Sequence, residues 1–440
     1  MSGTPVGKVG QPDGGARGGS ITVSRRWLLT LSALVLAPWI VVAIVMSGNA
    51  TAPEETGAPA TAAPTVVGRV GPWGQLVTTP VAISPPIEYV SRQWGEVQPS
   101  VWYFPAMTGD ELETRLVSFG LSREDAARLR AGARSSERAR GLLVTPDPEL
   151  ARTLSPDVRA RIYTALGRAA AMADTDVSVN FDQLGAYRYA GTSVDEWLGT
   201  SMVSAETRQL VAPYVYRHNG FLFFADIERV RPRIADPDEL QRLAKRLLRQ
   251  ATLLVRLQVS DRSSIDELVE YWGRGGRRTD LRPLLESVER GTTAGDVPYR
   301  LIDISHLLPP IARQHLYRYP RPTVADMQRS NLANCLWTAL NFFNEVPDDR
   351  YLEPQYAMER LKTDYFLVQD GFQLGDVVAF SDARGVLFHA AVYLADDLLF
   401  SKNGTSPLAP WTILPFDHFK GHYAEYADDW RVTYHRRKDM

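Results

Sequence analysis

The longest apolar run of the chain lies near its N-terminus. Residues Trp27 to Met46 read WLLTLSALVLAPWIVVAIVM, 20 residues without a charged side chain. A helix of about 20 apolar residues is long enough to cross the hydrocarbon core of a bilayer. The pattern therefore predicts a transmembrane helix that attaches the chain to the cytoplasmic membrane.

The charges around this run predict its orientation. Four basic side chains and one carboxylate precede it, whereas Glu54 and Glu55 follow it. The positive-inside rule then places the N-terminus in the cytoplasm and the bulk of the chain outside it. A signal peptide cleaved after Ala52 is the alternative, because Ala50-Thr51-Ala52 has the form of a cleavage site. The apolar run is long for a signal peptide, which favours an uncleaved anchor.

Segments of low complexity flank the apolar run. Residues 1–24 are rich in glycine, and residues 47–72 are rich in alanine, proline and threonine. Neither segment has enough apolar side chains to offset the entropy lost on ordering. We therefore expect a disordered cytoplasmic tail and a disordered external tether.

Helical patterns dominate residues 73–322. Gly74 to Ser84 alternates as a strand does, but Asp236-Pro237 begins a helix with an apolar stripe at helical spacing. Thr252 to Val259 fits either a helix or a strand. A proline-rich segment ends the region near residue 322. The sequence predicts a mainly helical domain here and does not indicate its role.

The pattern changes in residues 323–440, where short apolar strands are separated by turns. Val386 to Leu394 (VLFHAAVYL) is predicted to be the middle strand of an antiparallel meander. A reversal centred on Asp396 places His389 opposite Asn403, and the even spacing puts both on one face. Upstream, Asn334 is a good N-cap for a helix that starts at Cys335. The fold class is therefore predicted as α+β, with this helix packed on an antiparallel sheet.

Composition and charge narrow the functions that need to be considered. The chain has 440 residues, is 45% hydrophobic and carries a formal net charge of −2. A chain of this balance has no bulk electrostatic reason to bind nucleic acid. Its single cysteine, Cys335, excludes an internal disulfide and a cysteine-rich zinc site.

Cys335, His389 and Asn403 form the candidate catalytic set. Helix N-termini favour a thiolate, His389 would take the thiol proton, and Asn403 would orient the imidazole. Asn331 and Asn334 are candidates to stabilise the oxyanion, although capping the helix is a simpler role for either. A lone cysteine is also often a small buried core residue, which is the structural alternative.

These residues resemble the NlpC-type cell-wall peptidases of the papain-like superfamily. In that family a cysteine opens a helix, a Gly-Asp-apolar strand follows, and a histidine starts the next strand. Gly375-Asp376-Val377-Val378-Ala379-Phe380 and His389-Ala390-Ala391-Val392-Tyr393-Leu394 match this pattern. Cys335 matches in position, with Asn334-Cys335-Leu336-Trp337 standing where the family has Asp-Cys-Ser/Thr-Gly. The resemblance covers residues 323–440 alone.

The resemblance implies a cysteine peptidase or amidase that acts on peptidoglycan stem peptides, and the predicted transmembrane helix would anchor it outside the cytoplasm. A peptidase that acts on proteins is one alternative, and a catalytically inactive papain-like scaffold of the cell envelope is another. No cofactor is predicted. His418 and His422 have the spacing of a metal-binding pair, but no third ligand is evident, so no metal site is predicted either.

Overall fold

Two large antiparallel sheets and two small ones form the framework of the fold. The computed structural model describes residues 65–93, 101–105, 107–136, 141–172, 187–293, 298–321, 332–423 and 430–440. The strands in chain order are β1 Val66–Gly71, β2 Gly74–Ile83, β3 Trp102–Pro105, β4 Arg134–Ser136, β5 Gly141–Val144, β6 Tyr187–Tyr189, β7 Tyr216–His218, β8 Phe221–Phe224, β9 Gln250–Val259, β10 Arg300–Asp303, β11 Tyr365–Val368, β12 Val377–Asp382, β13 Leu387–Ala395, β14 Leu398–Lys402, β15 Trp411–Pro415 and β16 Trp430–Arg437.

Helices connect these strands and cover the sheets. They are α1 Ile87–Gln93, α2 Gly109–Phe119, α3 Arg123–Ala131, α4 Pro148–Thr153, α5 Pro156–Met172, α6 Val194–Leu198, α7 Ala205–Val211, α8 Ile227–Val230, α9 Pro237–Leu247, α10 Ile265–Trp272, α11 Arg278–Thr293, α12 Pro310–His315, α13 Cys335–Leu340, α14 Pro354–Asp364 and α15 Phe416–Tyr423. Short 3-10 turns occupy Ala212–Tyr214, Arg231–Arg233, Ile304–His306 and Asp349–Leu352.

The strand orders are β1-β2-β9-β10, β11-β16-β12-β13-β14-β15, β3-β5-β4 and β6-β8-β7. All of the paired neighbours are antiparallel. The predicted meander is confirmed as β12-β13-β14, and its register is also correct, since Val392 pairs with Phe400 across the turn at Asp396. Local chain reversal was therefore sufficient to place these strands.

The region before residue 322 contains strands as well as the helices that the sequence predicts. It contains the four-stranded sheet and both three-stranded sheets, as well as helices α1 to α12. The ambiguous segment Thr252–Val259 belongs to strand β9, which lies between β2 and β10. Val255, Leu257 and Val259 are fully buried in that strand, so its alternating pattern is that of a sheet with a buried face.

Residue 322 does not separate two independent cores. One apolar core contains Leu76 and Val255 from the first sheet together with Val392 and Ile413 from the second. The hydroxyl of Thr252 also accepts from the Ile413 amide at 3.0 Å and donates to its carbonyl at 3.1 Å. The described residues from 65 onward accordingly belong to one compact unit, and the C-terminal sheet is anchored on the strands that precede it.

The prediction of a single-pass membrane protein requires correction. No helix in the part of the chain that the structure describes is long and apolar enough to cross a membrane. The predicted span, residues 27–46, lies outside the described residues, as do the predicted tail at 1–24 and residues 47–64 of the predicted tether. The remaining residues of the tether, 65–72, include strand β1, so the prediction of disorder is wrong for that part. Membrane attachment is therefore not part of the function proposed below.

Candidate active site

Cys335 is the first residue of α13, as the sequence predicts. The side-chain oxygen of Asn334 caps this helix by accepting from the Trp337 amide at 2.9 Å. The helix packs on strand β13, where Cys335 contacts the core that contains Ala390 and Val392. The cysteine therefore lies between a helix start and the sheet.

The environment of the thiol does not favour the thiolate, which corrects the sequence prediction. Burial raises the pKa of Cys335. Backbone amides of Ala390 and Leu336 hydrogen-bond the sulfur, and the charge of Lys402 acts in the same direction, but these effects are smaller than desolvation. The Cys335 side chain is therefore held as a neutral thiol at neutral pH.

Lys402 is the polar neighbour of this thiol that the sequence analysis missed. Its side chain is fully buried, and its ammonium group donates to the carbonyls of Gly404 at 2.6 Å and Ser406 at 3.1 Å. It also lies 5.6 Å from the centre of the Trp411 ring. Burial lowers the pKa of Lys402 to about 7, because a charged ammonium loses its hydration there.

His389 occupies a different environment, within a cluster of aromatic rings. Its ring lies 4.5 Å from the ring of Tyr423, 5.4 Å from that of Phe419 and 5.6 Å from that of Phe380. Phe419 and Tyr423 both belong to α15, which covers the opposite face of the sheet from α13. Only 1% of His389 is exposed.

Both ring nitrogens of His389 have hydrogen-bond partners. Nε2 lies 3.0 Å from the Ser401 hydroxyl, and Nδ1 lies 2.9 Å from the Tyr423 hydroxyl. The Tyr423 hydroxyl also lies 3.3 Å from the side-chain oxygen of Asn403, to which it can donate. Burial lowers the pKa of His389 to about 3. The imidazole is therefore neutral, satisfied and shielded from solvent.

The structure does not assemble the predicted triad of Cys335, His389 and Asn403. Successive side chains of a strand point to opposite faces of the sheet, so Ala390 and Val392 contact the α13 side while Ala391 and Tyr393 contact the α15 side. His389 joins the α15 side with Asn403, and Cys335 lies on the α13 side. The sheet itself separates the thiol from the imidazole.

A β-bulge adjoins His389. Strand β12 pairs Phe380 with His389 and Ser381 with Leu387, which leaves Phe388 as an extra residue in β13. Such bulges change the direction of neighbouring side chains. Phe388 accordingly packs with the α15 cluster, close to Tyr423 and Trp430.

The remaining predicted residues have structural roles or lie outside the described ranges. Asn334 caps α13, and Asn331 is not among the described residues. His418 packs edge-on against Phe221 at 4.9 Å, and burial lowers its pKa to about 4. Within the described ranges, no cluster of three or more His, Cys, Asp or Glu residues could hold a metal; the side chain of His422 lies outside them.

The Gly-Asp pair that contributed to the resemblance stabilises the sheet. Gly375 has a φ of +91°, and a Cβ atom there would meet the ring of Phe343, so the turn requires glycine. The buried Asp376 carboxylate accepts from the Arg436 guanidinium at 2.7 and 2.8 Å and from the Gln373 amide at 2.9 Å. Both residues fix the start of β12.

The chain matches no protein-family model, no curated protein and no solved structure. The similarity to NlpC-type peptidases therefore remains a hypothesis that rests on the residue pattern of the C-terminal region.

Proposed function

We propose that this chain is a non-catalytic binding module that has a helix and sheet of papain-like type. The separation of Cys335 and His389 by the sheet carries this proposal. A general base must lie within hydrogen-bonding reach of the proton that it takes. Both ring nitrogens of His389 instead form hydrogen bonds with the hydroxyls of Ser401 and Tyr423.

A groove beside α14 is the surface that would accept a ligand. It has a volume of about 420 Å³, and its floor lies on the same sheet face as Cys335. Its lining is Met358, Leu361, Lys362, Tyr365, Leu367, Ala379, Ser381, Gly385, Leu387, Thr433 and His435. A concave, largely apolar site with a few polar groups is typical of ligand pockets.

The reactivity of the thiol tests this proposal in the full chain. Because the protein has one cysteine, all iodoacetamide labelling reports on Cys335. We expect the rate to keep rising with pH beyond about 8.5, the value of an ordinary cysteine, because burial raises the pKa. The profile should be the same in His389→Gln, whose folding is checked by circular dichroism.

Catalytic activity provides the complementary test. Peptidoglycan and an unfolded protein are incubated with the wild-type chain and with Cys335→Ala, and we expect no product that depends on Cys335. The proposal would be contradicted if the alkylation rate of the wild type levelled off near neutral pH and that of His389→Gln did not. Product formation that Cys335→Ala abolishes would do so as well.

Lys402 supports one second candidate, a site of thiol chemistry in which a lysine replaces histidine as the base. Its ammonium group favours the Cys335 thiolate, and its lowered pKa of about 7 suits proton transfer near neutral pH. The alkylation profile of Lys402→Met discriminates the two proposals. A large loss of reactivity at pH 7 in this variant favours thiol chemistry, whereas an unchanged, slow rate favours the binding module.

A further inference from the structure

The two edges of the six-stranded sheet differ in how they are covered. At the β15 edge, the Tyr317 amide donates to the Trp411 carbonyl at 2.9 Å, and the Trp411 amide donates to the Arg318 carbonyl at 3.2 Å. At the opposite edge, β11 pairs with β16 on one side, and no other strand of the described chain pairs with it. Among the residues that the structure describes, one edge is closed by the chain itself and the other is open.

The backbone of β11 presents hydrogen-bonding groups at this open edge. The Lys438 amide donates to the Asp364 carbonyl at 2.9 Å, which makes these two residues a hydrogen-bonded pair of the β11-β16 ladder. Hydrogen-bonded and non-bonded pairs alternate along an antiparallel ladder. The Leu367 N–H and C=O, which belong to a non-bonded pair with His435, therefore point away from β16 and towards the open edge.

Two apolar side chains in the middle of this strand are unusually exposed. Phe366 is 46% exposed and Leu367 is 57% exposed. An exposed apolar edge strand is a template for pairing with another chain, and β11 offers a short one of four residues. The edge strand β1 of the other large sheet is also exposed, but a bulge interrupts its ladder between Val67 and Val70, which disfavours regular pairing.

The groove beside β11 has few ionisable lining residues. Lys362 and His435 are its only ionisable lining residues apart from Tyr365, and among the described lining residues there is no carboxylate. The nearby carboxylates of Asp364 and Asp382 are each paired with an arginine, Arg360 and Arg384. Burial lowers the pKa of His435, so it is neutral at neutral pH and Lys362 provides the positive charge.

We infer that the open edge of β11 binds an extended peptide that carries a carboxylate. The peptide adds a strand beside Leu367, places alternate apolar side chains in the groove, and directs a carboxylate to Lys362. This is the usual logic of strand addition, in which main-chain bonds supply affinity and side-chain pockets supply specificity. The inference rests on the proposed binding function and names its ligand class.

Titration with fluorescein-labelled peptides tests this inference in the full chain. The probes are a set of heptapeptides with alternating valine and threonine that end in aspartate with a free carboxyl group. The matched probes end in lysine amide. We expect saturable binding of the acidic set, binding of the lysine set weaker by about tenfold or more, and slower hydrogen exchange of the β11 amides when an acidic peptide is bound.

Two variants and one control locate the site. Lys362→Glu reverses an exposed charge and should weaken the acidic peptides by about tenfold, whereas Lys245→Glu makes the same change at an exposed position of α9 and should have no effect. Leu367→Pro removes the outward N–H and should abolish binding. If Leu367→Pro fails to fold, Lys362→Glu and the exchange data still decide the outcome.

Other results would overturn the inference. Failure of every acidic peptide to bind at about 1 mM, or equal binding by Lys362→Glu, would remove it. A dimer that Leu367→Pro dissociates would show instead that a second copy of this chain occupies the edge. Each of these results leaves the proposed binding function intact, whereas peptide cleavage that depends on Cys335 would overturn that function itself.

Discussion

The two faces of strand β13 bury polar groups in contrasting ways. On the α15 face, His389 has a hydrogen-bond partner for each ring nitrogen and lies among aromatic rings. On the α13 face, Cys335 and Lys402 have pKa values shifted towards their neutral forms, and backbone amides and carbonyls supply their hydrogen bonds. One strand separates these two environments.

This contrast shows how the order of residues in a catalytic pattern can be present while the side chains pack on opposite faces of a sheet. The order of a helix-start cysteine followed by a strand histidine is retained, and so is the local structure around each. Catalysis additionally requires that both side chains reach one cleft. Here the direction of the His389 side chain relative to the sheet places the imidazole among the aromatic rings of the α15 face.

The largest expected effect comes from removing the buried imidazole. His389→Ala should lower the free energy of unfolding by about 3 kcal/mol, because it leaves a cavity among aromatic rings and deprives Ser401 and Tyr423 of a partner. Cys335→Ala should cost only about 1 kcal/mol, because it removes a single sulfur at a partly buried position. Urea denaturation of both variants at pH 7.5 measures this difference.

The same two variants can contradict this contrast between the two faces of β13. Equal losses of stability would mean that His389 is no better packed than Cys335. A stable His389→Ala variant would further indicate that the imidazole lies in an open cleft, contrary to its burial here.

Acid should weaken the α15 face through His389. The folded pKa of His389 is about 3 and the unfolded value is about 6.5, so the unfolded state binds the extra proton between these values. Stability is therefore complete above pH 6.5 and falls as the pH decreases. At pH 5 the loss from this residue is about 2 kcal/mol.

Comparison with His389→Gln isolates this contribution from those of the other buried histidines. The difference in unfolding free energy between wild type and His389→Gln should shrink by about 2 kcal/mol from pH 8 to pH 5. A difference that stays constant over this range would show that His389 is hydrated in the folded state.

The sequence predicted those parts of this region that depend on local interactions. The turn at Asp396 determines the register of β13 and β14, and a count along the chain was enough to find it. The Asn334 cap is likewise decided within three residues, as its bond to Trp337 shows. Short-range geometry explains why both predictions are confirmed.

The sequence did not predict which helix covers the sheet face on which His389 lies. Residues His389 to Ala395 are all buried, so hydrophobic alternation carries no information about which face meets which helix. The bulge at Phe388 depends on pairing with β12, and the identity of the covering helix depends on α15, which is 27 residues further along the chain than His389. Both are determined by tertiary contacts.

The sequence contains an indication that Lys402 is buried. Leu398, Phe400 and Lys402 alternate along β14, so a lysine occupies a position that the pattern assigns to the core. A charged residue at such a position points to a buried polar site. The mixed character of residues 73–322 was harder to infer, because Thr252–Val259 fits a strand only when β2 and β10 are available as partners.

The smallest effect tests the hydrogen bonds of the α15 face alone. Tyr423→Phe retains the ring that stacks on His389 but removes the hydroxyl that lies 2.9 Å from Nδ1 and 3.3 Å from Asn403. Loss of a partner for a buried nitrogen should cost about 1 kcal/mol. Tyr434→Phe is the matched control, since its ring packs on Phe372 in the same cluster at 3.7 Å and should lose much less. Equal costs in urea denaturation would mean that ring packing alone holds His389 in place. A cost confined to Tyr423→Phe would show that hydrogen bonding also keeps the imidazole on the face opposite Cys335.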